Sequence, residues 1–464
     1  MGTLIHNAII VNEGRRFRGS LFIEGDRIKE MKEEPSPFNP QFSTATNIID
    51  AQGGLVMPGG IDTHVHFREP GLTDKADIAH ESRAALAGGV TSIMDMPNVL
   101  PPTTTLERWR EHMDLLAQHC RVNYTCYIAA TNDGIETSRP STTDSPPCLT
   151  GNPHSAAEQE FPISYPPVKI FLGSTTGGML VNDQSSMLRI FNFAATHVRH
   201  YPIVAHCEDN LRIQSRMAEA QALWGEDPDV THHAWIRDAE ACYQSSLFAA
   251  RIARETGARL HIAHVSTSRE LELIGGNVTG EVCVGHLLFT EEDYERLGTR
   301  IKVNPAIKSR DERNALRHAL ADGLLKTIAT DHAPHETEAK RGGCRCATSG
   351  MPMVQFSLVS MLGLVDEGAL SLERMVDAMC HQPAKLFGIS DRGYLRPGMK
   401  ADIVIVHPRQ WTLRKENILS KCGWSPLEGR TFRWRVGQVF VNGRLAYDQG
   451  HIADDVRGEA LFQR

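Results

Sequence analysis

The chain has 464 residues, 41% hydrophobic and 23% charged, enough apolar material for one large core with an accessory piece. Its 49 Lys and Arg against 56 Asp and Glu give a formal net charge of −7, which offers no cationic footprint for nucleic acid or an anionic membrane surface. No apolar run approaches the roughly 18–20 residues of a membrane span, and the ten cysteines lack disulfide-scaffold spacing, so a cytoplasmic protein with reduced thiols is expected.

The first stretch alternates in short strands, TLIHNAIIV and then SLFIEGDRIKEM, with a turn at Gly25-Asp26. A proline-containing loop leads to NIIDAQGGLVMPG. The far end of the chain reads alike, with ADIVIVHP and FRWRVGQVFVNGRLAY. Neither end has enough apolar surface to stand alone, so residues 1–57 and 393–464 are expected to pair as one small β-sandwich. Between them, over 58–392, short β-branched runs alternate with longer helical patterns, which argues for βα units. The candidate strands are GIDTHVHF, VTSIMDMP, VNYTCYIAA, VKIFLG, YPIVAHCE, ARLHIAHVS, GEVCVGHL and LKTIATDHAPH. With helical stretches such as ADIAHESRAALAGG and DAEACYQSSLFAARIARETG between them, they predict a (β/α)₈ barrel of the α/β class. A doubly wound open sheet is the alternative, but no glycine-rich dinucleotide fingerprint follows any strand. Residues 135–167, rich in Pro, Ser and Thr, resist the scheme and read as a surface insertion.

The chemistry lies in where His and Asp fall. The first barrel strand ends in His64-Val65-His66, and residues two apart on a strand share a face. The fourth strand carries Lys169, the fifth ends in His206, the sixth in His264 and the eighth in Asp331. Strand ends of a barrel converge on one mouth, so four histidines and an aspartate would line one cavity. That set suits zinc or a similar borderline ion.

This pattern resembles that of the amidohydrolase superfamily, and within it the dihydroorotases. The match is carried by MPGGIDTHVHFREPG, AGGVTSIMDMPN, KIFLGSTTGGMLV, AHCED, HIAHVST, KVNPAIKSRDER and TIATDHAPH, and it covers nearly the whole chain. The resemblance implies a zinc-dependent hydrolase of cyclic amides, interconverting dihydroorotate and N-carbamoyl-L-aspartate in pyrimidine biosynthesis. It implies two Zn²⁺ ions bridged by a carboxylated Lys169, with His64, His66 and Asp331 on one ion and His206 and His264 on the other. Asp331 would also carry the proton during ring opening and closure. Both substrates keep one carboxylate that is not attacked, and a guanidinium is its natural bidentate partner. Arg68, Asn98 and His335 match the substrate positions of the family, and Asn304 matches a contact to the ring. Thr175 and Thr176 are candidates for a closing lid. The expected partner is a small-molecule substrate, with no nucleic acid or membrane, and the expected assembly is a homodimer. Allantoinase or dihydropyrimidinase chemistry on an uncharged ring is the near alternative, and a non-catalytic scaffold the distant one.

Some features depart from the pattern. The strand-seven segment reads Cys283-Val284-Gly285-His286, where many relatives have two adjacent histidines. Cys344-Arg345-Cys346 reads as loop, and His232-His233 as packing or surface.

Overall fold

The computed structural model describes residues 2–34, 45–135, 165–173 and 179–462. Eight parallel strand positions follow one another in sequence: Gly60–Val65, Val90–Asp95, Asn123–Ala129 (broken at Tyr127), Val168–Phe171, Ile203–His206, Leu260–Ile262, Val278–Cys283 and Thr327–Ala329. Each pairs with its neighbour in order. The ring closes where the His66 N–H donates to the His332 carbonyl at 2.8 Å, so the eighth strand returns to the first. Asp62 on the first strand staples the same seam, accepting from the Thr330 N–H at 3.1 Å and hydroxyl at 2.5 Å. The expected (β/α)₈ barrel is therefore what the chain forms.

The helices around the barrel start where short polar side chains can cap them. Asp77, Asp183, Asp209, Asp238 and Ser309 each accept from a backbone N–H in the first turn of Ile78–Ala87, Gln184–His197, Asn210–Trp224, Ala239–Thr256 and Arg310–Ala321. Gly257, with φ of 75°, ends the longest of them in the left-handed region that glycine adopts freely.

The two chain ends pair through Leu55–Pro58 against Ile403–His407, inside one nine-stranded sheet that also holds Gly2–Asn12 and Arg435–Val441. Alternation along these strands sends successive side chains to two cores. Val56, Ile403 and Ile405 join Ile5, Ile10, Leu21 and Phe440 within the sandwich. Leu55, Met57, Val404 and Val406 instead face the main core of the barrel. The sheet is thus fixed to the barrel by apolar side chains on its second face.

One expected strand is shorter than read. GEVCVGHL predicts a strand through Leu287, but the strand stops at Cys283 and Val284–Leu288 is a short helix. An apolar run without alternation does not distinguish the two states.

Candidate active site

The strand ends open on one cavity of about 390 Å³. His64, His66, Lys169, His206, His264 and Asp331 all line it, as do Arg68, Asn98, Asn304 and His335. Thr175 and Thr176 lie outside the described residues, as does most of the 135–167 segment.

His64, His66 and Asp331 bring their ligand atoms within 4.8 Å of one another, as do His64, Glu281 and Cys283, and either group could hold a metal ion. Asp331 Oδ1 lies 3.3 Å from His64 Nε2 and 3.0 Å from His66 Nε2. His206 Nδ1 and His264 Nε2 face each other at 2.9 Å. The outer nitrogens of His64 and His66 are held from behind, whereas His264 Nδ1 has no hydrogen-bond partner among the described residues. Glu281 Oε1 sits 2.8 Å from His64 Nδ1, and Asn98 Oδ1 2.8 Å from His66 Nδ1. Glu208 Oε2 lies 3.1 Å from His206 Nε2 and is itself paired with Arg237. An acceptor behind a ring places the proton on that side and turns the other nitrogen's lone pair to the cavity. By this geometry Glu281 serves as the carboxylate that orients His64.

The electrostatics suit a cation. Burial pushes His66 down to about 4 and holds His206 and His264 below the usual histidine value, so these three imidazoles are neutral donors at pH 7. Burial raises Asp331, but the His64 and His66 rings outweigh this and leave its carboxyl below the ordinary range. Lys169 is fully buried, and its Nζ finds no hydrogen-bond partner. Burial lowers that amine to about 8, against the opposing pull of Glu281 and Asp331. An orphaned, easily neutralised amine beside neutral imidazoles and an ionised carboxylate is a fitting donor set for divalent metal.

At the other side of the cavity the Arg68 guanidinium is 3% exposed. Its Nε donates to the Pro334 carbonyl at 3.2 Å, and Nη2 lies 3.1 Å from His335 Nε2. No carboxylate pairs with it among the described residues. Glu69, the loop acid that could have done so, caps the following helix instead, accepting from the Ile78 N–H at 3.1 Å. His335 is fixed by the Ser349 carbonyl at 3.0 Å and by Trp424, whose indole N–H donates to the His335 carbonyl at 2.8 Å. Arg68, His264 and Asp331 have φ of 70°, 37° and 47°, a region costly for side chains other than glycine. Strain at three cavity residues marks a surrounding structure that holds them in place.

Sequence reading missed several contributors. Glu281 is an acid in an otherwise apolar strand, a signal that was available. Arg237 carried none, since its partner Glu208 lies 29 residues away, and neither did Glu208 or Lys75, whose places depend on how their loops fold. Gly285 has no room for a side chain without movement of Met351, whose Cε would sit 2.1 Å from an added Cβ. His286 turns away, its Nε2 3.1 Å from the Pro305 carbonyl. His233 is buried against the Val303 carbonyl, and His232 stacks on Trp224 at 3.7 Å.

A parallel barrel with histidines and an aspartate gathered at its C-terminal mouth defines the class of metal-dependent hydrolases. Residues 55–446 match the amidohydrolase family, and the chain belongs to it. The dihydroorotase of Aquifex aeolicus is 31% identical over 460 residues, which cover 96% of this chain and 99% of that one. The dihydroorotase of Halobacterium salinarum is 33% identical over 388 residues, 82% of this chain and 84% of its own. Among solved structures, the L-hydantoinase (dihydropyrimidinase) from Arthrobacter aurescens superposes with a TM-score of 0.83 at 26% identity, over 97% of both chains. Among the described residues no helix is long and apolar enough to cross a membrane.

Proposed function

We propose that the protein is a dihydroorotase, closing N-carbamoyl-L-aspartate to L-dihydroorotate and reopening the ring. The observation that carries this reading is the buried Arg68 guanidinium, which faces the cavity with no carboxylate of its own. A buried cation left unpaired is costly, and a substrate carboxylate would supply the missing anion. His64, His66, His206, His264, Asp331 and a carboxylated Lys169 are the residues that would hold two zinc ions. Bound there, the ions supply hydroxide near neutral pH and polarise the scissile carbonyl.

The chain's own residues do the rest. Arg68, Asn98 and His335 hold the unreacting carboxylate, and Asn304 borders the ring. The Asp331 carboxylate takes the proton from the attacking water and delivers it to the departing ring nitrogen; in the closing direction it takes a proton from the carbamoyl nitrogen as that nitrogen attacks the carboxyl carbon, and hands it to the oxygen that leaves as water. Such proton transfer contributes roughly 10²–10⁴-fold. Glu281 and Asn98 keep the His64 and His66 imidazoles oriented throughout.

A steady-state comparison of dihydroorotate, allantoin and dihydrouracil tests the reading. Preference for dihydroorotate by orders of magnitude is expected. Preference for either uncharged ring would replace it with allantoinase or dihydropyrimidinase chemistry.

A further inference from the structure

Besides Arg68 and Lys169, Lys75 is a third Lys or Arg side chain in the cavity wall, and neither the metal chemistry nor the carboxylate contacts above use it. Its place follows from how the loop after the first strand folds. The Leu72 N–H donates to the Arg68 carbonyl and the Lys75 N–H to the Leu72 carbonyl, each at 3.1 Å, so two successive turns bring Lys75 back toward Arg68. Gly71 allows this path. Its φ is 77°, and a Cβ there would lie 1.8 Å from the Leu100 carbonyl oxygen. The loop is pinned at its far end by Lys421, which donates to the Thr73 carbonyl at 2.7 Å and pairs with Asp77 at 3.0 Å.

The loop carries three acids, and none is ion-paired to Lys75; Asp74 is exposed to solvent. Glu69 caps the helix at Ile78, and Asp77 holds His80 and Lys421. Neither Arg68 nor Lys75 has a carboxylate within ion-pair reach among the described residues. The half-buried Lys75 amine is held below its ordinary value, by burial first and by the Arg68 charge second, with Glu336 opposing. Two like charges beside one cavity repel each other; the Asp331, Asp95 and Glu81 carboxylates offset part of the Arg68 charge from a distance, and an anion entering between Arg68 and Lys75 would relieve the rest.

We infer that Lys75 is a substrate-binding residue, receiving the unreacting carboxylate at the cavity mouth and sharing it with Arg68. The inference rests on the proposed dihydroorotase reading and sharpens it, since it makes recognition of the negative charge a task of two residues. Lys75 forms no bond to a reacting atom in this role. It should therefore act on binding more than on turnover.

The test uses the metal-loaded enzyme and the variants Lys75→Met and Lys75→Arg, assayed with dihydroorotate and with carbamoyl-aspartate over a range of ionic strength. For Lys75→Met, KM for dihydroorotate should rise about tenfold with a much smaller change in kcat. The salt dependence of kcat/KM should become shallower, because one of the two attracting charges is gone. The loss in kcat/KM should be the same factor in both directions, since the equilibrium between the two compounds is fixed. Lys75→Arg should keep most of the affinity. Metal content and melting temperature serve as controls for folding. An unchanged KM and salt slope in a folded, metallated Lys75→Met enzyme would overturn the inference while leaving the dihydroorotase reading intact. A wild-type enzyme that does not turn over dihydroorotate would remove both.

Discussion

Glu281 and His64 stand 217 residues apart, yet the carboxylate meets the imidazole Nδ1 at 2.8 Å with both side chains buried. The second carboxylate oxygen accepts from the Thr63 hydroxyl at 2.9 Å, so the acid is locked in one orientation. It fixes which nitrogen of His64 faces Asp331. Removing such a partner typically costs 10–100-fold in metal affinity. Glu281→Ala should therefore lose zinc to a chelator at concentrations that leave the wild type loaded, as read by metal analysis after dialysis. Glu281→Gln, which can still accept from Nδ1, should retain more. Equal retention in wild type and Glu281→Ala would refute the orienting role.

The ligand-type residues were legible in the sequence because barrel topology turns strand ends into neighbours. His64, His66, His206, His264 and Asp331 need only the period of a strand and the rule that the mouth carries chemistry, whereas Lys169 joined the set through the family resemblance. The groups behind them were not legible. Nothing in AHCED says that Glu208 pairs with Arg237, because that contact depends on how the Ala239–Thr256 helix and its preceding turn pack. The left-handed backbone at Arg68, His264 and Asp331 leaves no trace in residue type, since none of the three is glycine. The helix at Val284–Leu288 was missed for a different reason. Val-Gly-His-Leu-Leu is apolar on all sides, and burial on all sides is compatible with strand or helix.

Specificity should depend on Arg68. A charge-assisted, bidentate contact contributes on the order of 1.5–3 kcal/mol, and more where it also orients the ring. Arg68→Met should lose most activity on dihydroorotate while metal content stays at the wild-type level. Unchanged turnover would promote an uncharged ring as the substrate.

Asp238 offers a pH test of fold stability away from the cavity. Its carboxylate caps the Ala239–Thr256 helix, accepting from the Ala241 N–H at 3.0 Å, and pairs with Arg212 at 2.5 Å and Arg216 at 3.4 Å. Burial pushes its carboxyl up, but the Arg212 hydrogen bond, the Ala241 N–H and the two guanidinium charges hold it below the usual value. A carboxylate lowered in the folded state stabilises fully above its unfolded pKa, about 3.9, and loses that contribution as pH falls through the folded value. Asp238→Ala should cost about 1–2 kcal/mol at pH 7, the range for losing a helix cap. The gap in melting temperature between variant and wild type should narrow from about pH 5 to about pH 3, across that reference pKa. A gap independent of pH would show that the charge contributes nothing.

Asp331 combines two roles that one substitution can separate. Alanine would remove both the oxygen near His64 and His66 and the proposed proton carrier. Asparagine keeps the size and one carbonyl oxygen but cannot accept a proton at neutral pH. Asp331→Asn should hold nearly full metal with activity down roughly 10²–10⁴-fold. Retention of more than about a tenth of the rate would rule out the proton-transfer role.

Lys169 makes the sharpest chemical claim. As an ammonium it would point a positive charge at the same space that His64, His206, His264 and Asp331 offer to a cation, and it would have no lone pair to give. Its buried Nζ has no hydrogen-bond partner, and burial lowers it to about 8, which makes the neutral amine more accessible than in an exposed lysine. A neutral amine can react with carbon dioxide to form a carbamate, which carries a negative charge and two oxygens able to reach two ions. Metal-depleted protein should accordingly regain zinc and activity faster when bicarbonate accompanies the metal. Lys169→Ala should lose both zinc equivalents and activity together. A short carboxylic acid at high concentration should restore part of each, by occupying the space the side chain vacates. Mass spectrometry or a crystal structure showing a bare amine in fully metallated, active protein would reject the modification, as would a Lys169→Ala variant that binds two zinc ions unaided.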